Sequence, residues 1–257
     1  ALEYIEEDKS AVNNDVASVL YHNIGNVYMQ QLREDSLALY FFAKAEERFL
    51  FENHYMGLGV CYGNIAYIHL RNKDYKKSYK FNLKSVNYYK LSGDSFKLAD
   101  GLASYSKCLL RMDSFSKSKE IIDQAMALSK RIDSKRGIGI SKIMLAEWYY
   151  SQKMNKMALE EAVSASQMMR SYKFFDLRLD VYDLLAKLYE DVGILDSSLH
   201  YYKIAQLHKD SAFNMANTTN IVSMKLKADK EIQESIENER QRKQIEQQEM
   251  QNDYLVL

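Results

Sequence analysis

Residues 145–165 read LAEWYYSQKMNKMALEEAVSA, and in them a small side chain stands at Ala146, Ala158 and Ala165. Each of these three positions recurs about every forty residues along the chain. The three series are Gly25, Ala66, Ser106, Ala146 and Ala186; Ala38, Ser78, Ser118, Ala158 and Ser198; and Ala45, Ser85, Ala125, Ala165 and Ala205. Three parallel series with one period predict an internal structural repeat. The first repeat carries one extra residue, between Gly25 and Ala38.

Each repeat is predicted to be a pair of amphipathic helices. In the fourth repeat, apolar residues such as Ile143, Trp148 and Val163 recur at helical spacing, which predicts helices over 138–151 and 156–171. Polar turn residues separate the two helices of each repeat, at 33–36, 72–74, 113–114, 153–155 and 193–196. The chain contains no proline and only nine glycines. Strand-rich folds normally need both residues for their turns, so this composition also favours helices.

At these positions the sequence resembles the tetratricopeptide repeat. The similar stretches are Ile24-Gly25-x-x-Tyr28, Leu145-Ala146-x-x-Tyr149 and Leu185-Ala186-x-x-Tyr189 in the first helix, and Ala38-x-x-x-Phe42 and Ser198-x-x-x-Tyr202 in the second. Small side chains are needed there because packed helices lie only about 8–10 Å apart. The resemblance implies an all-α fold, a right-handed superhelical solenoid of antiparallel helix pairs.

The sequence also departs from the pattern of this family. Tyr21, Tyr62 and Tyr182 replace its tryptophan, and its closing proline is absent. The period is about forty residues rather than the usual figure of about 34. This longer form resembles the arrays of bacterial signalling proteins. HEAT-type repeats, with periods of about 40–47, are the alternative fold, and the pattern of small residues disfavours them.

The register also predicts the domain organisation. Five repeats are predicted at 15–53, 54–93, 94–133, 134–173 and 174–213. Residues 1–7 are predicted to be the tail of an upstream second helix, so the solenoid domain covers 1–213. Residues 214–257 are predicted to form a long polar helix that leaves the solenoid, because apolar residues are sparse between 225 and 250.

The composition argues against several classes of protein. Lys and Arg number 35, as do Asp and Glu, so the basic excess expected of a nucleic-acid partner is missing. The five histidines show no metal-ligand spacing, and His69 is predicted to pack like the tyrosines at its repeat position. No catalytic grouping can be recognised. The sequence therefore predicts a protein that is not an enzyme and holds no cofactor or metal.

Two further features are predicted to serve packing. Gly57-x-Gly59-x-x-x-Gly63 has neither the preceding strand nor the spacing of a phosphate loop, and a glycine pair recurs at Gly137 and Gly139. These glycines are predicted to allow either close packing or a tight turn at the start of a first helix. Cys61 and Cys108 fall at different heights on neighbouring first helices, about 10 Å apart along the axes. They are predicted to be two buried thiols rather than a disulfide.

The resemblance implies that the first helices line a concave groove that binds an extended or helical peptide. In the repeat register, one face of these helices presents Asn26, Tyr67, Arg71, Lys107, Arg111 and Tyr150. Arginine binds carboxylates with two parallel donors, and tyrosine supplies rigid apolar area. These six residues are the predicted ligand site, with an acidic or C-terminal peptide segment as the expected ligand. The alternative is that they are solvated polar residues on an exposed face.

One subclass of the family grips C-terminal carboxylates with lysines and asparagines. Asn26 and Asn64 match two of the asparagine positions of that clamp. His22, Asp100 and Ser104 stand where its basic residues belong. The carboxylate clamp is therefore not predicted for this chain.

Two functional hypotheses follow. In the first, the chain is the sensor or interaction domain of a bacterial membrane-anchored signalling protein, either a histidine kinase or a helix-turn-helix transcriptional regulator. This hypothesis predicts a periplasmic location, a dimer through the C-terminal helix, and a membrane segment of about twenty apolar residues after Leu257. In the second, the chain is a free-standing cytoplasmic assembly adaptor, and the sequence continues with polar residues or ends near Leu257.

Overall fold

The computed structural model describes residues 11–172 and 177–207, and these residues form helices joined by short turns, without any strand. The first helices are α1 (Ala11–Val27), α3 (Tyr55–Arg71), α5 (Ser95–Arg111), α7 (Lys135–Ser151) and α9 (Arg178–Asp191). The second helices are α2 (Asp35–Phe51), α4 (Tyr75–Ser92), α6 (Phe115–Arg131), α8 (Asn155–Ser171) and α10 (helical residues 195–207). Each helix packs on its neighbours in sequence, and α5 also packs on α7. The predicted all-α solenoid of helix pairs is confirmed. The predicted tail within 1–7 and the predicted helix of 214–257 lie outside the described residues.

The small residues of the repeat lie where helices cross. Ala38, Ser78, Ser118 and Ala158, which share one repeat position, are all fully buried. At Ser118 the hydroxyl donates across the crossing, from Oγ to the Ser106 carbonyl at 3.0 Å. This bond satisfies a polar group that would otherwise be costly to bury. Both alanine and serine therefore suit the position.

The turns between helices recur every twenty residues and mostly do without glycine. A residue with positive φ stands at Arg33, Asn53, Lys73, Gly93, Asp113, Asp133, Lys153 and Gly193. After several of these residues a backbone N–H donates to a carbonyl near the end of the preceding helix, as from Asp74 to the His69 carbonyl at 2.8 Å. Asparagine and aspartate tolerate the left-handed region better than other non-glycine residues. Six of these eight described turn positions thus do without glycine.

The extra residue of the first repeat is absorbed by a change of helix type. After α1 the chain forms a π-helical segment, Tyr28–Leu32, and the Glu34 N–H donates to the Tyr28 carbonyl at 3.0 Å. A π-helical turn holds one residue more than an α-helical turn, so an insertion fits without shifting the register of the next helix. The second series of small residues therefore keeps its spacing from Ala38 onward.

Glycine serves close packing at the start of the first helices, as predicted. The ring of Tyr89 lies between Gly59 of α3 and Gly101 of α5, and a Cβ added at these glycines would stand 2.6 Å and 2.8 Å from ring atoms. The corresponding glycine of α7, Gly139, lies against Met169. These glycines are inside helices. They form no phosphate loop.

The remaining packing predictions are also confirmed. The His69 ring stacks on Phe81, with ring centres 5.5 Å apart. Both Cys61 and Cys108 are buried free thiols. Burial, with a smaller contribution from the Glu46 carboxylate, raises the pKa of Cys61 to about 12. That thiol is inert at neutral pH, because the thiolate is the reactive form.

Candidate functional site

Two cavities open side by side on the surface formed by the first helices, which we call the groove. The central cavity has a volume of about 290 Å³ and is lined chiefly by residues of α3, α5 and α7. The N-terminal cavity, of about 430 Å³, extends from α3 and α5 to the π-helical segment. Gly63, Tyr67, Asp100 and Ser104 line both cavities. The two cavities therefore adjoin along the groove, and we call them together the channel.

Asn26 belongs to a polar cluster at the N-terminal end of the groove. Asn64 of α3 donates from Nδ2 to Asn26 Oδ1 of α1 at 2.7 Å, and the same nitrogen lies 3.4 Å from His22 Nε2. Burial lowers the pKa of His22 to about 4, so its ring is neutral at pH 7 and offers no positive charge to a ligand. The two asparagines predicted from the clamp pattern thus contact each other, and the cluster is uncharged.

Arg71 is held by groups of its own chain. Its guanidinium forms an ion pair with Asp35 of α2, donates from Nη1 to the Met29 carbonyl at 3.2 Å, and lies over the Tyr67 ring, 5.7 Å from the ring centre. Asn72 also donates to Asp35, at 2.8 Å. Tyr67 keeps half of its surface exposed within the groove. The side chain of Arg71 therefore positions Tyr67 and joins the first two repeats.

Lys107 and Arg111 share a carboxylate on the next first helix. Glu147 of α7, which is 14% exposed, lies 3.7 Å from Lys107 Nζ and 3.4 Å from Arg111 Nη2. Lys107 Nζ also lies 3.7 Å from Asp180 Oδ2 of α9. Burial by itself lowers the pKa of Lys107, but Glu147 and Asp180 more than offset it, so its pKa is raised above the usual range. Lys107 is therefore a charged link between three first helices.

Tyr150 is placed apart from the other predicted site residues. It lines neither cavity, and Asp191 at the end of α9 is a nearby acidic group. Burial, with a smaller effect of Asp191, raises the pKa of Tyr150. Of the six predicted residues, Tyr67 and Lys107 line the channel. Asn26, Arg71 and Arg111 are connected to it through the contacts described above, whereas Tyr150 is not.

Residues 11–172 and 177–207 contain no group of three or more His, Cys, Asp or Glu side chains arranged to hold a metal ion. None of the helices in these ranges is both long enough and apolar enough to span a membrane.

No protein-family model matches the sequence, and neither does any curated protein. Several solved structures are similar in fold. A Rap protein complexed with competence and sporulation factor is 15% identical, with a TM-score of 0.67 over 85% of this chain and 60% of that one. Aspartyl phosphate phosphatase F from Bacillus subtilis is 14% identical, with a TM-score of 0.62 over 82% of this chain and 55% of that one. This chain thus spans less than two thirds of the length of either structure.

A further similar structure contains tetratricopeptide repeats. It is a signal-transduction ATPase with numerous domains from Pyrococcus horikoshii, and it carries a tetratricopeptide-repeat sensor. It is 19% identical to this chain, with a TM-score of 0.61 over 80% of this chain and 32% of that one. The chain has the tetratricopeptide-repeat fold. Identities below a quarter establish the fold and leave the function to be argued from the groove.

Several channel residues of this tetratricopeptide solenoid were missed by the sequence analysis. They are Asn82, Arg136, Ile140, Met144 and Leu177. Asn82 alone carried a recognisable signal, since the same position holds Phe42, Ile122 and Ala162 in the first, third and fourth repeats, all apolar and buried. The other residues line the channel because of how successive repeats stack, which no single repeat reveals.

Proposed function

We propose that this chain is a non-catalytic scaffold that binds a peptide, or a peptide segment of a protein, in the groove. The observation that carries the proposal is the channel of two adjoining cavities along α3, α5 and α7, which is lined by apolar side chains together with polar and charged ones. Such a mixture suits a polypeptide ligand, which presents both apolar side chains and a polar backbone. In this proposal the ligand contacts Tyr67 and Lys107 directly, and Asn26, Arg71 and Arg111 support the site beside the channel. Tyr150, which was also predicted as a site residue, lies outside it.

The structural neighbours support a role in signalling. One is a Rap protein complexed with competence and sporulation factor, and another carries a tetratricopeptide-repeat sensor. The finer proposal is that this chain is the sensor or interaction domain of a bacterial membrane-anchored histidine kinase or helix-turn-helix regulator. The full-length gene tests this finer part, because it must encode both a membrane segment and an output domain. A gene without an output domain favours the assembly adaptor.

The groove itself is tested with displayed peptides. Linear peptides on phage are selected against the chain, and each binder is then measured by fluorescence anisotropy against the chain and two variants. In Ser104→Trp, a large ring enters the channel, because Ser104 is exposed and lines both cavities. In the control Ser116→Trp, the same ring is placed on the exposed surface of α6.

We expect Ser104→Trp to weaken peptide binding about tenfold or more, which corresponds to about 1.4 kcal/mol. Ser116→Trp should leave the affinity unchanged, and circular dichroism should show equal helix content in both variants. Binders that are insensitive to Ser104→Trp would place the ligand site outside the groove.

A further inference from the structure

The walls of the central cavity are mainly apolar. They are formed by Ala66, Leu70, Ala103, Ile140, Met144 and Leu177. Ala66, Ala103 and Met144 are almost fully buried, so the cavity reaches down to the helix packing beneath the groove. Ligand pockets commonly measure about 300–1,000 Å³. With about 290 Å³, the central cavity has room for one large side chain of a ligand.

A buried polar residue lies at the floor of the cavity. Asn82 of α4 lines the cavity and is 2% exposed. The same repeat position holds the larger apolar residues Phe42 in α2 and Ile122 in α6 and the smaller Ala162 in α8, all of them buried. Asn82 is shorter than Phe42 or Ile122, and its Nδ2 donates within its own helix to the Ser78 carbonyl at 3.0 Å. A larger apolar side chain at this position would therefore reduce the space in the cavity.

The charges at the rim are balanced by the chain itself. Lys107 lies 3.7 Å from both Glu147 and Asp180, and Arg111 shares Glu147. An acidic ligand would compete with Glu147 and Asp180 for these two cations, whose charge the two carboxylates already neutralise in part. The net attraction of the rim for a charged side chain is therefore weakened. An uncharged apolar side chain meets no such competition.

We propose that the central cavity is the anchor subsite of the groove and takes one uncharged, large apolar side chain, of leucine, methionine or phenylalanine, from the bound peptide. This inference rests on the proposed peptide-binding function and names the residue class that the groove selects. It also revises the expectation of an acidic ligand. The cations of the groove hold neighbouring helices together, and apolar burial provides the binding energy.

The first test is the composition of the selected peptides. Among binders that lose affinity with Ser104→Trp, we expect one position to be apolar in nearly all sequences, with no enrichment of aspartate or glutamate. Replacing that apolar residue with alanine should weaken binding about tenfold or more, whereas alanine at any other position should matter less. Groove-dependent binders enriched in acidic residues and lacking a common apolar position would overturn the anchor.

The second test fills the cavity from its floor with Asn82→Ile. Isoleucine is the residue at this position of the third repeat, in which Ser106 is the counterpart of Ala66. Phenylalanine is unsuitable at position 82. In the first repeat, a Cβ added at Gly25 would stand 2.7 Å from the Phe42 ring. The second repeat has Ala66 in place of Gly25, so it already carries such a Cβ. The matched control is Asn87→Ile, at an exposed position of the same helix. We expect Asn82→Ile to weaken peptide binding about tenfold or more and Asn87→Ile to leave it unchanged.

A measurement on the unmodified chain decides the case if Asn82→Ile does not fold. With methyl-labelled methionine, the Met144 methyl group should show nuclear Overhauser contacts to the apolar side chain of a bound peptide. Absence of such contacts, or full affinity in folded Asn82→Ile, overturns the anchor subsite. If binding still depends on Ser104 in that case, the proposed peptide-binding function is unaffected. If no selected peptide responds to Ser104→Trp, the proposed function falls, and the anchor falls with it.

Discussion

Lys107 on α5 forms an ion pair with Asp180 on α9, at 3.7 Å, although α7 lies between these helices in the order of repeats. The same ammonium group lies 3.7 Å from Glu147 on α7. One side chain thus connects the first helices of three successive repeats at the edge of the central cavity. In a solenoid, each repeat otherwise contacts mainly its neighbours. This link therefore makes the relative positions of the first helices that form the groove depend on the charge of Lys107.

The Lys107 link should contribute to stability over a defined pH range. Because the pKa of Lys107 is raised in the folded chain, its contribution is complete below the unfolded value of about 10.4 and is lost as the pH rises through the folded value. We expect Lys107→Met to lower the free energy of unfolding by about 1 kcal/mol at pH 8. Urea denaturation at pH 8 and pH 11 should show this difference shrinking at the higher pH.

The control for Lys107 is Lys77→Met. Lys77 pairs with Asp74 at 3.3 Å, but its side chain is 64% exposed. Exposed ion pairs contribute little, so we expect a difference within about 0.5 kcal/mol of zero. Equal effects of the two substitutions would show that Lys107 is only another surface charge.

Arg71 and Arg111 should behave differently although both were predicted as ligand contacts. Arg71→Ala removes the ion pair with Asp35, the bond to the Met29 carbonyl and the contact with Tyr67, and should cost about 1–3 kcal/mol of unfolding free energy. Arg111 is half-exposed and leaves Glu147 still paired with Lys107, so Arg111→Ala should cost less than about 0.5 kcal/mol. Thermal unfolding of both variants measures this contrast. A larger loss from Arg111→Ala would contradict the assignment of Arg71 to the link between the first two repeats.

The helix crossing in the fourth repeat should not accept a larger side chain. Ala158 is fully buried, whereas Lys156, two residues earlier on α8, is exposed. We expect Ala158→Leu to destabilise the chain by about 1–3 kcal/mol through overpacking, and Lys156→Leu to be nearly neutral. Chemical denaturation compares the two variants. Similar losses from both would show that the repeat register is wrong.

Gly59, which lies against the Tyr89 ring, should tolerate replacement by alanine less well than a helical glycine usually does. Replacing a helical glycine with alanine normally stabilises by about 0.8–1 kcal/mol. At Gly59 the new Cβ would stand 2.6 Å from the Tyr89 ring, which cannot move away because Gly101 bounds its other side. We therefore expect Gly59→Ala to destabilise by about 1–3 kcal/mol.

Gly63→Ala provides the comparison for Gly59→Ala. Its Cβ would meet Ser85 Oγ at 3.3 Å, a much milder contact one helical turn further along α3. The loss of unfolding free energy should therefore be clearly smaller than at Gly59. If Gly59→Ala raised the melting temperature, the close packing of Tyr89 would be refuted.

The amino-acid sequence alone was enough to predict the repeat, its helix pairs and the buried small residues. Ala158 shows why, since its role depends on a position that recurs in every repeat and can be recognised by counting. The extra residue before Ala38 was also visible in the sequence. Its accommodation in the π-helical segment Tyr28–Leu32 was not, because π- and α-helical turns differ only in which backbone groups pair.

Tertiary structure alone decided the partners of the charged groove residues and the place of the central cavity. Lys107 and Asp180 stand 73 positions apart, and their distance depends on the rotation of each repeat against the next, which accumulates along the solenoid. The same rotation brings Leu177 to the cavity wall and leaves Tyr150 outside the channel. Sequence periodicity is a property of one repeat, whereas the groove is built from contacts between repeats.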